Sequence, residues 1–200
     1  MNKISDYPIQ IKEIIRVSTL LYERNLVSAA GGNVSERTEE GILITGSNVS
    51  LREVRQNDLV LCSLQNEVID ARPKLRPSKE IKFHLGIYKI RPSIKCIIHA
   101  HPCYSILCSS IYNELPLYTQ SAKLKLIHVP VIPEGKPGSM ELADKVVSTI
   151  KAQPDEIKAF LMEGHGIIAI GNTMEEALNQ AELLEDSCKI AVFQKLLSEK

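Results

Sequence analysis

Lys95-Cys96-Ile97-Ile98-His99-Ala100-His101-Pro102 reads as a β-strand that ends on two histidines and turns at once into a helix. Side chains alternate across a strand, so His99 and His101 point to one face while Ile98 and Ala100 enter the opposite layer. Pro102 suits the first turn of the helix that follows. Two imidazoles two residues apart on one strand face can grip a single ion.

Two further residues suit the same ion. His165 stands in Glu163-Gly164-His165-Gly166, where a glycine on either side lets the backbone bend and approach a ligand closely. Glu80 offers a carboxylate. Imidazole and carboxylate together favour a borderline divalent ion such as zinc, and a catalytic zinc keeps one position open for substrate. A metalloenzyme is therefore expected. Glu80 also lies four residues before His84 on one helical face, so an intrahelical contact is the alternative for its side chain. His128, in Leu126-Ile127-His128-Val129-Pro130, is read as a hydrogen-bonded structural histidine.

Composition narrows the class. The 200 residues suit one domain with a sizeable core, expected over residues 1–200. Twenty-four basic and 24 acidic residues cancel, which argues against a nucleic-acid partner or a polybasic membrane anchor. No apolar run approaches the roughly 20 residues that span a bilayer, and the first residues lack the apolar centre of a signal peptide, so a cytoplasmic protein is expected. Five cysteines without Cys-X-X-Cys spacing are read as buried free thiols, with Cys103 and Cys108 nearest the histidine pair. The absence of tryptophan argues against a stacking platform for bases or sugars.

Helices and strands alternate without internal repeat. Ile11, Ile14, Ile15, Val17, Leu20 and Leu21 predict an amphipathic helix over 8–26. A glycine-rich turn from Ala30 to Ser35 leads towards a strand at 41–45, and further strands are expected at 58–63, 67–70, 124–129, 157–162 and 167–170. Ser78 can cap a helix through Ile81 and Tyr88, with Glu80 in its first turn, and Pro92 ends that helix near Arg91. Thr173 and Glu176 form a capping box for a last helix reaching about Leu197. Such interleaving places helices over the faces of a sheet.

Two glycine-containing segments suit an anion. Gly31-Gly32-Asn33-Val34-Ser35 and Thr45-Gly46-Ser47-Asn48 present backbone amides and short polar side chains, and Ser78-Lys79 adds a hydroxyl and a cation at a helix start. Together they could hold a phosphate. Gly135-Lys136-Pro137-Gly138-Ser139 reads as a loop and helix cap.

The order of these pieces, from Gly31–Ser35 through Ile44–Asn48, Arg76–His84 and His99-Ala100-His101 to Gly164-His165-Gly166 and the helix after it, resembles the class II aldolase/adducin head family over residues 10–195. The resemblance implies a single three-layer α/β/α domain around a largely antiparallel sheet. It implies one zinc ion per chain on His99, His101, His165 and Glu80, with Glu80 also the acid/base. Gly32, Asn33, Ser47, Asn48, Ser78 and Lys79 match positions that hold a substrate phosphate. It further implies a homotetramer with active sites between subunits.

The activity so implied is a lyase that splits a short ketose phosphate, such as L-fuculose 1-phosphate, into dihydroxyacetone phosphate and an aldehyde. A pentulose-phosphate 4-epimerase, a methylthioribulose-phosphate dehydratase and a noncatalytic adducin-like interaction domain are the alternatives. Thr45-Gly46-Ser47-Asn48 replaces the usual Thr-Pro-Thr-Gly turn, and asparagine tolerates the positive φ such a turn needs. Gln120 stands where fuculose-phosphate aldolases place a proton-donating tyrosine, leaving Tyr118, Tyr112 and Tyr104 as candidates from a neighbouring subunit.

Overall fold

The histidine strand lies in the middle of one eight-stranded sheet in the computed structural model, which describes residues 3–198. Met1, Asn2, Glu199 and Lys200, part of the domain expected over 1–200, lie outside the described residues. In chain order the strands are β1 (Asn33–Arg37), β2 (Ile42–Thr45), β3 (Leu59–Cys62), β4 (Val68–Asp70), β5 (Cys96–Ala100), β6 (Val131–Ile132), β7 (Ala159–Met162) and β8 (Gly166–Gly171). They align as β4-β3-β2-β1-β5-β8-β7-β6, and every neighbouring pair is antiparallel except β6 with β7.

Helices cover both faces, so the architecture is the expected three-layer α/β/α. On one side lie α1 (Pro8–Glu23), α3 (Cys103–Ile111), α4 (Gln120–Lys125) and α6 (Met174–Ser198), and on the other α2 (Ile81–Ile90) and α5 (Met140–Lys151). The strand alternation decides which residue joins which layer. Ile98 and Ala100 of β5 enter the core under α1 and α6, while Ile97 enters the core under α2 and α5. Ile14, Val17 and Leu21 of α1 are completely buried, each worth about 1.5–3 kcal/mol of apolar transfer. Among the described residues no helix is long and apolar enough to cross a membrane.

Three local expectations change. The strand expected at 124–129 is instead the end of α4 and a turn at Ile127, whose φ is 63°. Thr119 caps α4, its hydroxyl accepting from Ala122 N–H at 3.1 Å, and the buried residues Ala122, Leu126 and Val129 follow helical spacing while Leu124 and Ile127 face solvent. Asn33, Val34 and Ser35, read as part of a turn, belong with Glu36 and Arg37 to a central strand. Glu80 is the residue that precedes α2 rather than part of its first turn; its N–H donates to Ser78 Oγ at 3.3 Å.

The last helix begins as its sequence suggests, with Glu176 N–H donating to Thr173 Oγ1 at 3.1 Å. The Glu176 carboxylate reaches Asn172 N–H and Lys158 instead of closing the box on Thr173. Four of the five free cysteines are buried, but Cys103 is exposed on α3.

Candidate metal centre and anion cleft

Strand β5 aims His99 at the side of the sheet facing α2, and the turn after it brings His101 to the same place. One ring nitrogen from each of His99, His101 and His165 lies within 4.8 Å of the others. His99 Nδ1 is 2.9 Å from the Ile167 carbonyl, which can only accept, so Nδ1 carries the proton and the Nε2 lone pair faces inward. His101 Nε2 is 2.8 Å from it.

Glu80 meets this cluster from the start of α2. Its Oε2 lies 3.4 Å from His99 Nε2 and 4.0 Å from His165 Nε2, while Oε1 accepts from Gly138 N–H at 2.8 Å. The contact with His84 does not form, because His84 is engaged with β1. Glu80 Oε2 and His165 Nδ1 are buried without a hydrogen-bond partner. Buried polar atoms are nearly always paired, and an orphaned carboxylate oxygen facing imidazole nitrogens fits a divalent cation between them.

Burial also sets the protonation states a metal requires. It lowers the His101 pKa to about 4, with His165 adding repulsion, and lowers His99 and His165 as well. Neutral imidazoles are the ligating form. Burial pushes the Glu80 carboxyl up, against the opposing effect of Gly138 N–H. Glycines make room for the rings. A Cβ on Gly31 would stand 2.7 Å from His101 Nδ1, and one on Gly166 would stand 2.2 Å from the Ala100 carbonyl and 2.9 Å from His101 Cδ2.

The cluster forms the floor of a cleft of about 360 Å³. Gly32, Asn33, Ser47, Asn48, Ser78 and Lys79 line it together with Glu80 and the three histidines, so all ten residues singled out from the sequence meet there. Backbone pairing joins the Thr45–Asn48 turn to the segment that carries Ser78 and Lys79, with Ser47 N–H donating to Arg76 O at 2.8 Å and Ser78 N–H to Thr45 O at 3.1 Å. Asn48 adopts φ 60°. The Lys79 ammonium makes no ion pair among the described residues and is exposed at the cleft.

Several residues stand elsewhere or emerge only in three dimensions. Among the described residues no tyrosine lines the cleft; Tyr104 packs near Phe193, Tyr112 donates to Ala191 O, and Tyr118 is exposed. His128 pairs with Glu114 at 2.9 Å and has no part in the cluster. Ser139 caps α5 as its loop suggested, but the Gly138 N–H on Glu80 was not legible, since a backbone amide has no residue signature. Ala30, Gly31, Gly46 and Pro137 complete the wall.

A cluster of three imidazoles with a carboxylate beside it, opening on a polar cleft at the middle of an α/β/α sheet, is a donor set that could hold a metal ion. The chain belongs to the Class II Aldolase and Adducin N-terminal domain family, which matches residues 12–192, and it is a lyase. It is 29% identical over 180 residues to an L-fuculose phosphate aldolase of Methanococcus vannielii, covering 90% of this chain and 94% of that one. It is 28% identical to a 3-oxo-tetronate 4-phosphate decarboxylase of Pectobacterium atrosepticum, covering 89% and 81%. The crystal structure of the l-fuculose-1-phosphate aldolase from Thermus thermophilus superposes with a TM-score of 0.82 at 27% identity, covering 95% and 96% of the two chains.

Proposed function

We propose that this protein is a zinc-dependent aldolase that cleaves a short ketose phosphate, such as L-fuculose 1-phosphate, to dihydroxyacetone phosphate and an aldehyde. The observation that carries this is the convergence of His99, His101 and His165 in one cluster, with the unpartnered Glu80 Oε2 facing His99 and His165, in the same cleft as two turns suited to phosphate. Those four residues would hold one zinc ion per chain. Bound there, zinc would supply a Lewis acid to offset the negative charge that develops as the carbon–carbon bond is cleaved.

The chain's own groups supply the rest. Glu80, buried and held by Gly138 N–H, is placed to move a proton at the carbon of the triose fragment. The backbone amides beside Gly32, the hydroxyls of Ser47 and Ser78, the amides of Asn33 and Asn48, and the Lys79 ammonium bind the phosphate and fix the scissile bond over the cluster.

A decarboxylase is the second reading, favoured by the 3-oxo-tetronate 4-phosphate decarboxylase relatives. Loss of the carboxylate from that substrate leaves the same three-carbon phosphate, so the companion product separates the two. The reaction is tested by metal analysis together with release of dihydroxyacetone phosphate from ketose 1-phosphates, pentulose 5-phosphates and 3-oxo-tetronate 4-phosphates. About one zinc per chain with triose and aldehyde is expected. Carbon dioxide in place of aldehyde would make it a decarboxylase, isomerised sugar without triose an epimerase, and absence of metal after zinc is supplied would sink the proposal.

The working unit we propose is a homotetramer. Leu107 and Ile111 of α3 and Phe193, Leu196 and Leu197 of α6 expose large apolar side chains on adjacent helices, α3 starting directly behind His101. Association there would bring a second subunit beside the cleft, and with it one of the tyrosines that the cleft of one chain does not contain.

A further inference from the structure

His84 is fully buried one layer beneath the cleft, where it is no part of the metal cluster. Its ring bridges two residues of β1: Nε2 lies 2.5 Å from Asn33 Oδ1, and Nδ1 lies 2.7 Å from Ser35 Oγ. Ser35 Oγ is in turn 2.9 Å from the Tyr88 hydroxyl. An amide oxygen can only accept, so with Asn33 Oδ1 towards the ring Nε2 carries the proton. Burial lowers the pKa of the ring to about 3, leaving it neutral, and Nδ1 therefore accepts from the Ser35 hydroxyl. The Tyr88 hydroxyl also donates to the Ser35 and Lys95 carbonyls, at 3.1 and 3.2 Å, so the order that the ring sets runs from Ser35 through His84 to Asn33.

Asn33 is where this chain of bonds meets the cleft. It is paired in register with His99 on the adjacent strand and lines the cleft wall. Asn33 as a whole is only 4% exposed, and the bond from His84 is its one side-chain hydrogen bond among the described residues. With the oxygen held from behind, the NH2 end is left for whatever occupies the cleft. Reversed, the amide would offer an acceptor there, which repels an anion.

We propose that His84 is a positioning residue whose Nε2–H holds the Asn33 carboxamide by its oxygen and so turns the NH2 group to donate to a substrate phosphate oxygen. This rests on the cleft being a phosphate site. A hydrogen bond to a charged group is worth about 1.5–3 kcal/mol, so loss of the correct amide orientation costs roughly tenfold or more in anion affinity.

The test is calorimetric titration of inorganic phosphate into zinc-loaded protein at matched metal content. His84→Leu and Asn33→Ala are each expected to weaken binding about tenfold. His84→Gln, which keeps a donor near the Nε2 position, should recover most of the affinity, and the double variant should bind no worse than Asn33→Ala alone, because the two changes remove one interaction. Losses that add in the double variant would overturn the proposal, as would parental affinity in a folded His84→Leu. Parental affinity in Asn33→Ala would overturn the phosphate reading and this one with it. Nitrogen NMR of the parent ring needs no variant: a proton on Nε2 is expected, and one on Nδ1 refutes the positioning.

Discussion

Glu185 of α6 closes the start of α3 by way of Ser105: its Oε2 accepts from Ser105 N–H at 2.8 Å and from Ser105 Oγ at 2.7 Å, while Oε1 accepts from Tyr104 N–H at 3.0 Å. A carboxylate at a helix start meets unpaired N–H groups and the positive end of the helix dipole. Because α3 begins two residues after His101, this contact anchors the segment that carries a proposed metal ligand. Glu185→Ala is expected to lower stability by about 1–3 kcal/mol and to weaken zinc retention, read by thermal unfolding with and without a chelator. Unchanged retention in a destabilised variant would confine Glu185 to a structural part.

The four proposed ligands are not equivalent. His101→Ala should lose zinc and activity together, whereas Glu80→Gln should retain much of the zinc while proton exchange at the triose carbon collapses by at least about a hundredfold. Metal analysis and deuterium uptake into dihydroxyacetone phosphate read the two properties separately. A fully active, zinc-free His101→Ala protein would refute the site.

Steric crowding at Gly166 gives a second, independent check. A methyl group there meets the Ala100 carbonyl and the His101 ring at distances no relaxed structure tolerates, so the β5–β8 joint has to open. Gly166→Ala should cost roughly 2–4 kcal/mol and displace His101, seen as lower zinc content in the folded fraction. Parental stability and zinc content would show that the joint yields more easily than its packing suggests.

Glu36 adds a pH dependence away from the cleft. Burial, with repulsion from Glu13, raises its pKa from 4.5 to about 7, and its Oε2 has no hydrogen-bond partner. The folded chain therefore holds this proton more tightly than the unfolded chain. Its contribution is full below about pH 4.5 and is lost as pH rises through about 7. Glu36→Gln should remove that slope and stabilise the protein at pH 8 by about 1 kcal/mol, a figure reduced for the partial exposure of the group. Denaturant melts at pH 5 and pH 8 measure it; equal effects at both would contradict the assignment.

Light scattering tests the proposed assembly. The parent is expected at four times the mass of one chain, and Leu107→Glu with Phe193→Glu should reduce that mass by placing charge in the buried patch. A monomeric parent would remove the subunit interface from the catalytic picture.

Much of this was legible in local pattern. The alternation in Cys96–Ala100 placed His99 on one face and Ile98 on the other, and the spacing of Ile14, Val17 and Leu21 marked α1. What was not legible depended on distant partners. Asn33 and Ser35 break the apolar pattern of a central strand, and the groups that satisfy them, His84 and Tyr88, lie about fifty residues on. At 124–129 a largely apolar run is overruled by the Thr119 cap, which starts a helix just ahead of it. The hold of Gly138 N–H on Glu80 lies on the backbone, where residue identity carries no trace.

His99 sits in register between Asn33 and Ile168, with a paired strand on either side, while Ser47, Asn48 and Lys79 belong to turns that line the cleft. The two parts can therefore change at different rates. On the proposed reading a substitution in the turns would alter which molecule is admitted without moving an imidazole, whereas a substitution in the paired strands would endanger the fold itself. A scaffold divided in this way can be passed from one substrate to another over its history while the bond-breaking apparatus stays where it was.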